Sequence, residues 1–141
     1  MGNLYVVDAS VILKWVLPAD NEPWQEQAWA IFSGLRRREI EAAVPSLWWY
    51  ETGNILTRKY PEQAAAHLAA LTRILGDGHP MTEPSLRSTT LDLVGRRRVT
   101  FYDASYHALA IVLESVLVTA DTKYLQAVSD EKHIMHLKDW R

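Results

Sequence analysis

The chain has no cysteine, so a disulfide scaffold, a thiolate zinc site and a cysteine nucleophile are all excluded. That lack fits a reducing cytosol, and a cytoplasmic location is the expectation. No stretch approaches 18 consecutive apolar residues, so no membrane span is predicted. The opening "MGNLYVVDAS" lacks a basic leading region and has only a short apolar run, so it does not read as a signal peptide. Internal repeats, low-complexity tracts and linkers are also missing. An excess of positive charge is lacking too: the formal net charge is −2, which argues against a general nucleic-acid glue.

What is present is an ordinary globular composition, 48% hydrophobic and 23% charged over 141 residues, a length that predicts a single domain across 1–141. Strand and helix patterns alternate. "LYVVD" (4–8), "EAAVP" (41–45), "SVLVTAD" (115–121) and "HIMHL" (133–137) read as strands. Helices are predicted over 10–17, ended by Pro18, and over 22–38, with Trp24, Ala28, Ile31 and Leu35 on one stripe. Further helices are predicted over 47–60, 61–75 with Pro61 at its start, 83–98 with Gly95 ending it early, 103–114 with Asp103 as its N-cap, and 122–128. "GDGH" (76–79) breaks the chain between two of them. The alternation implies an α/β fold, a central, mostly parallel sheet with helices on both faces. In such sheets ligands bind beyond the carboxyl ends of the strands.

Four acids stand out by position. Asp8 and Asp121 end apolar strands, Glu51 sits in the first turns of a helix that follows a strand, and Asp103 begins a helix. Singly, each is explained as a helix cap or as a carboxylate near the positive end of a helix dipole. Together at one sheet edge they repel. Two carboxylates about 4 Å apart cost roughly 4 kcal/mol at an effective dielectric near 20, so the protein must either protonate some of them or supply a cation. Hard oxygen ligands without thiolate or imidazole select Mg²⁺ or Mn²⁺. Ser10, Asn54 and Thr119 accompany three of the acids at short spacings. They are candidates to hold the carboxylates by hydrogen bonds, or else are local caps or exposed polar positions.

The order "VVDAS", "PSLWWYETGNIL", "TFYDASYHALA", "LVTAD" resembles the PIN domain family, and within it the small VapC-type toxins of toxin–antitoxin pairs. The likeness runs from Leu4 to about Leu125. By that resemblance, Asp8, Glu51, Asp103 and Asp121 are the catalytic, metal-binding acids, with Ser10, Asn54 and Thr119 in support. Where some members carry a further acid, this chain has Thr122, Lys123 and Tyr124. The resemblance implies a Mg²⁺- or Mn²⁺-dependent endoribonuclease that cleaves RNA phosphodiesters, is inhibited by a cognate antitoxin, and forms a homodimer.

Other readings are weighed against it. A haloacid-dehalogenase-type phosphatase wants a second aspartate where Ser10 stands, and a receiver domain wants an acidic pair where "NLYVVDAS" offers one acid. A PIN-like fold serving as a non-catalytic protein- or RNA-binding module is the remaining alternative. Lys14, Arg36 to Arg38 and Arg96 to Arg98 are candidates to hold flanking phosphates, or are helix-end cations. His133 and His136 form H-x-x-H without a third zinc ligand, and His107 is expected on a core or contact face. Most of the six tryptophans are expected in the core, with Trp15 and Trp24 as candidates to line a partner groove.

Overall fold

The computed structural model describes residues 3–18 and 22–141. Strand β1 (Leu4–Val7) is followed by α1 (Ala9–Ile12) and a 3₁₀ turn (Leu13–Trp15). Next come α2 (Gln25–Arg36), β2 (Glu41–Ala43), α3 (Leu47–Lys59), α4 (Ala64–Leu75), α5 (Pro84–Arg97) and α6 (Phe101–Val112). The chain then forms β3 (Val116–Thr119), α7 (Thr122–Ala127), β4 (Ile134–His136) and a closing 3₁₀ turn (Leu137–Asp139).

The four strands form one sheet in the order β2-β1-β3-β4, and every pairing is parallel. Side chains alternate between the two faces of a strand. Val6 and Val7 in β1, and Leu117 and Val118 in β3, are all buried, so both faces of the central pair are covered, as parallel sheets require. Helix α6 packs across β1 and β3, and α5 packs on α6. The chain steps from β1 to β2 on one side and later to β3 on the other, so the reversal of strand order falls between β1 and β3. A crevice opens at such a reversal, beyond the strand ends.

Several helix boundaries differ from expectation. Asp103 is not an N-cap: α6 begins at Phe101, and the Thr100 hydroxyl accepts the Asp103 N–H at 3.1 Å. Gly95 does not end its helix; α5 continues to Arg97, and Arg98 closes it in the left-handed region at φ 55°. Pro61 does not start α4, because residues 61–63 form a turn before Ala64. Of the tryptophans, Trp48 is fully buried, whereas Trp29 and Trp49 are exposed. Trp15 donates to the Ala28 carbonyl at 2.9 Å and packs on Phe32, while Trp24 packs edge-on against His136. Trp15 thus packs on α2 and Trp24 on β4. Among the described residues no helix is long and apolar enough to cross a membrane.

Candidate active site

Asp8 directly follows β1 and caps α1, accepting the Ser10 N–H at 3.1 Å. Val7 lies opposite Val118 in the parallel register, which sets the next residue, Asp8, beside Thr119. Two hydroxyls then converge on its carboxylate. Ser10 Oγ donates to Oδ1, and Thr119 Oγ1 donates to Oδ2, each at 2.5 Å. Both hydroxyls also accept from the loop after β3. Ser10 Oγ takes the Ala120 N–H at 2.9 Å, and Thr119 Oγ1 takes the Asp121 N–H at 3.0 Å. The ends of β1 and β3 are therefore stitched together around Asp8.

Asp121 caps α7, accepting the Tyr124 N–H at 3.0 Å. Glu51 projects from α3, which is anchored by the buried Trp48, Thr52 and Leu56 on another face. Asp103 occupies the first turn of α6. These four acids line one cavity of about 200 Å³, with Ala9, Ser10, Leu13 and Ile55 as its remaining walls. Asn54 is exposed and is not among the lining residues.

The acids share one electrostatic environment. Burial pushes the Asp8 carboxyl up to about 7 against the opposing effect of the Ser10 and Thr119 hydroxyls, and the charges of Glu51 and Asp103 add to the rise. Burial also raises Glu51, with Tyr106 opposing and Asp103 and Asp121 reinforcing. Asp103 is raised by burial and then by Asp121. Glu51, Asp103 and Asp121 thus each make a neighbouring carboxylate harder to ionise, the behaviour of a cluster built for positive charge.

Among the described residues, no three His, Cys, Asp or Glu side chains lie close enough to hold one metal ion by direct bonds alone. The donor set is nevertheless all oxygen. It fits Mg²⁺ or Mn²⁺, which bind through one or two carboxylates and keep several waters for the remaining acids to hold.

Tyr106 completes the site and was not singled out from sequence. It is fully buried, and its hydroxyl donates to Glu51 Oε1 at 2.8 Å. Its one sequence signal is its position three residues after Asp103, on the same helical face. His107 is a core residue. Its ring nitrogens meet the Tyr124 hydroxyl and the Lys132 carbonyl, each at 2.8 Å, and burial lowers its basicity. His133 contacts the Ser115 carbonyl and His136 accepts the Lys138 N–H, so H-x-x-H has structural partners.

The basic candidates separate. Lys14 is buried against Glu22 at 3.0 Å. Arg96 pairs with Asp92 and Glu131, and Arg97 with Asp130 and Glu131. Arg36 and Arg38 line a cavity with Asn3 and Glu41, at the amino ends of β1 and β2 and so at the opposite edge of the sheet from Asp8.

Comparison with known proteins speaks for the family and the fold. The PIN domain family matches residues 5–130. Ribonuclease VapC1 of Mycobacterium tuberculosis is 37% identical over 103 residues, covering 69% of this chain and 74% of the relative. The crystal structure of PAE2754 from Pyrobaculum aerophilum superposes with a TM-score of 0.65 at 28% identity, over 98% of this chain and 93% of that one. The VapBC2 structure from Rickettsia felis, bound to a DNA fragment from its promoter, gives a TM-score of 0.71 at 14% identity, over 94% and 98% of the two chains. At that identity it speaks for the fold alone.

Proposed function

Because the chain belongs to the PIN domain family, we propose that it is an endoribonuclease that hydrolyses RNA phosphodiester bonds as the toxin of a toxin–antitoxin pair. The observation that carries this reading is the convergence of Asp8, Glu51, Asp103 and Asp121 on one cavity at the strand-order reversal. The similarity to a ribonuclease over two-thirds of the chain supports the nuclease activity. A partner antitoxin is proposed from the resemblance to VapC-type toxins and the similarity to ribonuclease VapC1.

Mg²⁺ or Mn²⁺ is the proposed cofactor. When bound, it would offset charge on the non-bridging phosphate oxygens and ease deprotonation of an attacking water. Asp8, Asp103 and Asp121 would hold it directly or through water, and Glu51 either joins them or orients the attacking water. Ser10 and Thr119 fix both oxygens of Asp8, so that carboxylate needs little reorganisation when the ion arrives. Tyr106 fixes one oxygen of Glu51, which lines the cavity. The proposed working assembly is a homodimer, as the family resemblance implies.

The test is cleavage of single-stranded RNA with Mg²⁺ or Mn²⁺, with and without chelator. Asp8→Asn and Asp103→Asn proteins should remain folded and lose cleavage, and chelation should abolish the wild-type activity. Wild-type-like cleavage by both variants overturns the assignment. RNA binding that survives chelation, with no cleavage under any condition, would mark the chain as a binding module.

A further inference from the structure

The acidic cavity has no basic residue in its lining, yet its proposed substrate carries one negative charge per nucleotide. Four carboxylates repel the phosphates on either side of the one being cleaved, so cations must stand close by. Most of the candidates are committed elsewhere. Lys14, Arg96 and Arg97 are held in ion pairs, and Arg36 and Arg38 lie at the far edge of the sheet.

Arg98 and Lys123 differ. They line a second concavity of about 320 Å³ that shares Asp103 and Asp121 with the acidic cavity and has Thr100 and Tyr124 among its walls. Both side chains are exposed, and among the described residues neither forms an ion pair. Arg98 ends α5 at φ 55°, a left-handed position where glycine is the usual residue, and here a guanidinium stands at that corner. A guanidinium offers a planar fork for phosphate oxygens, and an ammonium offers a compact point charge. Next to Thr100, the exposed rings of Phe101 and Tyr102 open α6 and present faces on which unpaired bases stack.

We infer that this second concavity is a phosphate subsite for single-stranded RNA, in which Arg98 and Lys123 hold the backbone next to the scissile bond. The inference rests on the ribonuclease reading above. Arg98 and Lys123 are positioning residues: they act by holding the strand in register with the acids, not on the reacting phosphorus.

The experiment measures binding of a fluorescein-labelled, mixed-sequence, single-stranded RNA to Asp8→Asn protein carrying Arg98→Gln, Lys123→Gln or both, across a salt titration with Mg²⁺ present. The same substitutions in the otherwise wild-type chain are assayed for cleavage. Each substitution should raise Kd and KM roughly tenfold with kcat held within about twofold, as loss of a charge-assisted contact predicts. The slope of log K against log salt should fall by about 0.7 per cation removed. Arg73→Gln, an exposed position lining the cavity at the far sheet edge, should leave Kd and slope unchanged. An equal loss in Arg73→Gln overturns the subsite, because the effect would then be one of general charge. Unchanged Kd, KM and slope in the Arg98/Lys123 double variant also overturn it, while loss of cleavage in Asp8→Asn leaves the ribonuclease reading standing. Absence of RNA cleavage by the otherwise wild-type chain with Mg²⁺ or Mn²⁺ overturns that reading instead, and the binding titration still decides the subsite.

Discussion

The buried Tyr106 hydroxyl donates to Glu51 Oε1 at 2.8 Å and so ties α6 to α3 inside the acidic cavity. The bond favours the ionised form of Glu51 against the burial and neighbouring charges that oppose it. Tyr106→Phe removes this donor and little else. It should cost about 1.5–3 kcal/mol of stability where Glu51 is ionised, and less where it is protonated. Thermal unfolding at pH 8 and at pH 4, below the ordinary glutamate range from which Glu51 is raised, checks this, and an equal loss at both would show that the bond does not serve the carboxylate.

Asp8 gives a pH dependence of definite sign. Its carboxyl is raised from 3.8 to about 7 in the folded protein, so between those values the folded state holds a proton that the unfolded chain has released. Stability therefore falls with rising pH. The contribution is fully present below about pH 4 and is lost as pH passes through about 7. Metal-free protein should melt at a lower temperature at pH 8 than at pH 5.5, and Asp8→Asn should flatten that difference. Added Mn²⁺ should raise the melting temperature more at pH 8, where Asp8 has released its proton, than at pH 5.5.

Thr119 is one buried hydroxyl serving two aspartates, donating to Asp8 Oδ2 and accepting the Asp121 N–H. Thr119→Val keeps the volume and removes both bonds. It should cost about 1–3 kcal/mol and lower kcat by at least roughly tenfold, because Asp8 loses its fixed orientation. Thr119→Ser, which retains the hydroxyl, should recover most of that rate. Rates measured at saturating metal separate the loss of orientation from weakened metal binding.

What could be read from sequence was set by local pattern. Apolar β-branched runs ending in an acid located β1 with Asp8 and β3 with Asp121, because strand and cap chemistry act within a few residues. The sequence pattern places Asp103 as a cap because "TFY" before it carries β-branched and aromatic residues that favour strand, whereas the Thr100 hydroxyl lets the helix start earlier. Nothing local distinguishes Tyr106, because a tyrosine in "SYHALA" reads as core. Its partner Glu51 is 55 residues away, and only the packing of α6 against α3 joins them. The two arginine runs look alike in sequence. Glu131, reached from α5 across 35 residues, neutralises part of one and leaves Arg98 outside the network.

Gly78 supports the site from a distance. Its φ is +88°, and a Cβ there would stand 2.9 Å from both the Pro45 carbonyl carbon and the Val44 oxygen. These are backbone atoms that cannot swing aside. The close approach lets His79 donate to the Val44 carbonyl at 2.8 Å and Ser46 donate to the His79 carbonyl at 2.7 Å, which fastens the chain just ahead of α3 and Glu51. Gly76 also has a positive φ, +70°, but open space around its Cβ position. Both Gly→Ala variants meet a positive-φ backbone penalty, roughly 1–3 kcal/mol. Gly78→Ala alone adds the clash, worth about a further 1–3 kcal/mol. Urea midpoints at unchanged m-value should therefore rank wild type above Gly76→Ala and Gly76→Ala above Gly78→Ala. RNA cleavage should fall further in Gly78→Ala, because the start of the helix carrying Glu51 must move to relieve the contact. Equal midpoints for the two variants would show that the Val44–Pro45 backbone yields without cost.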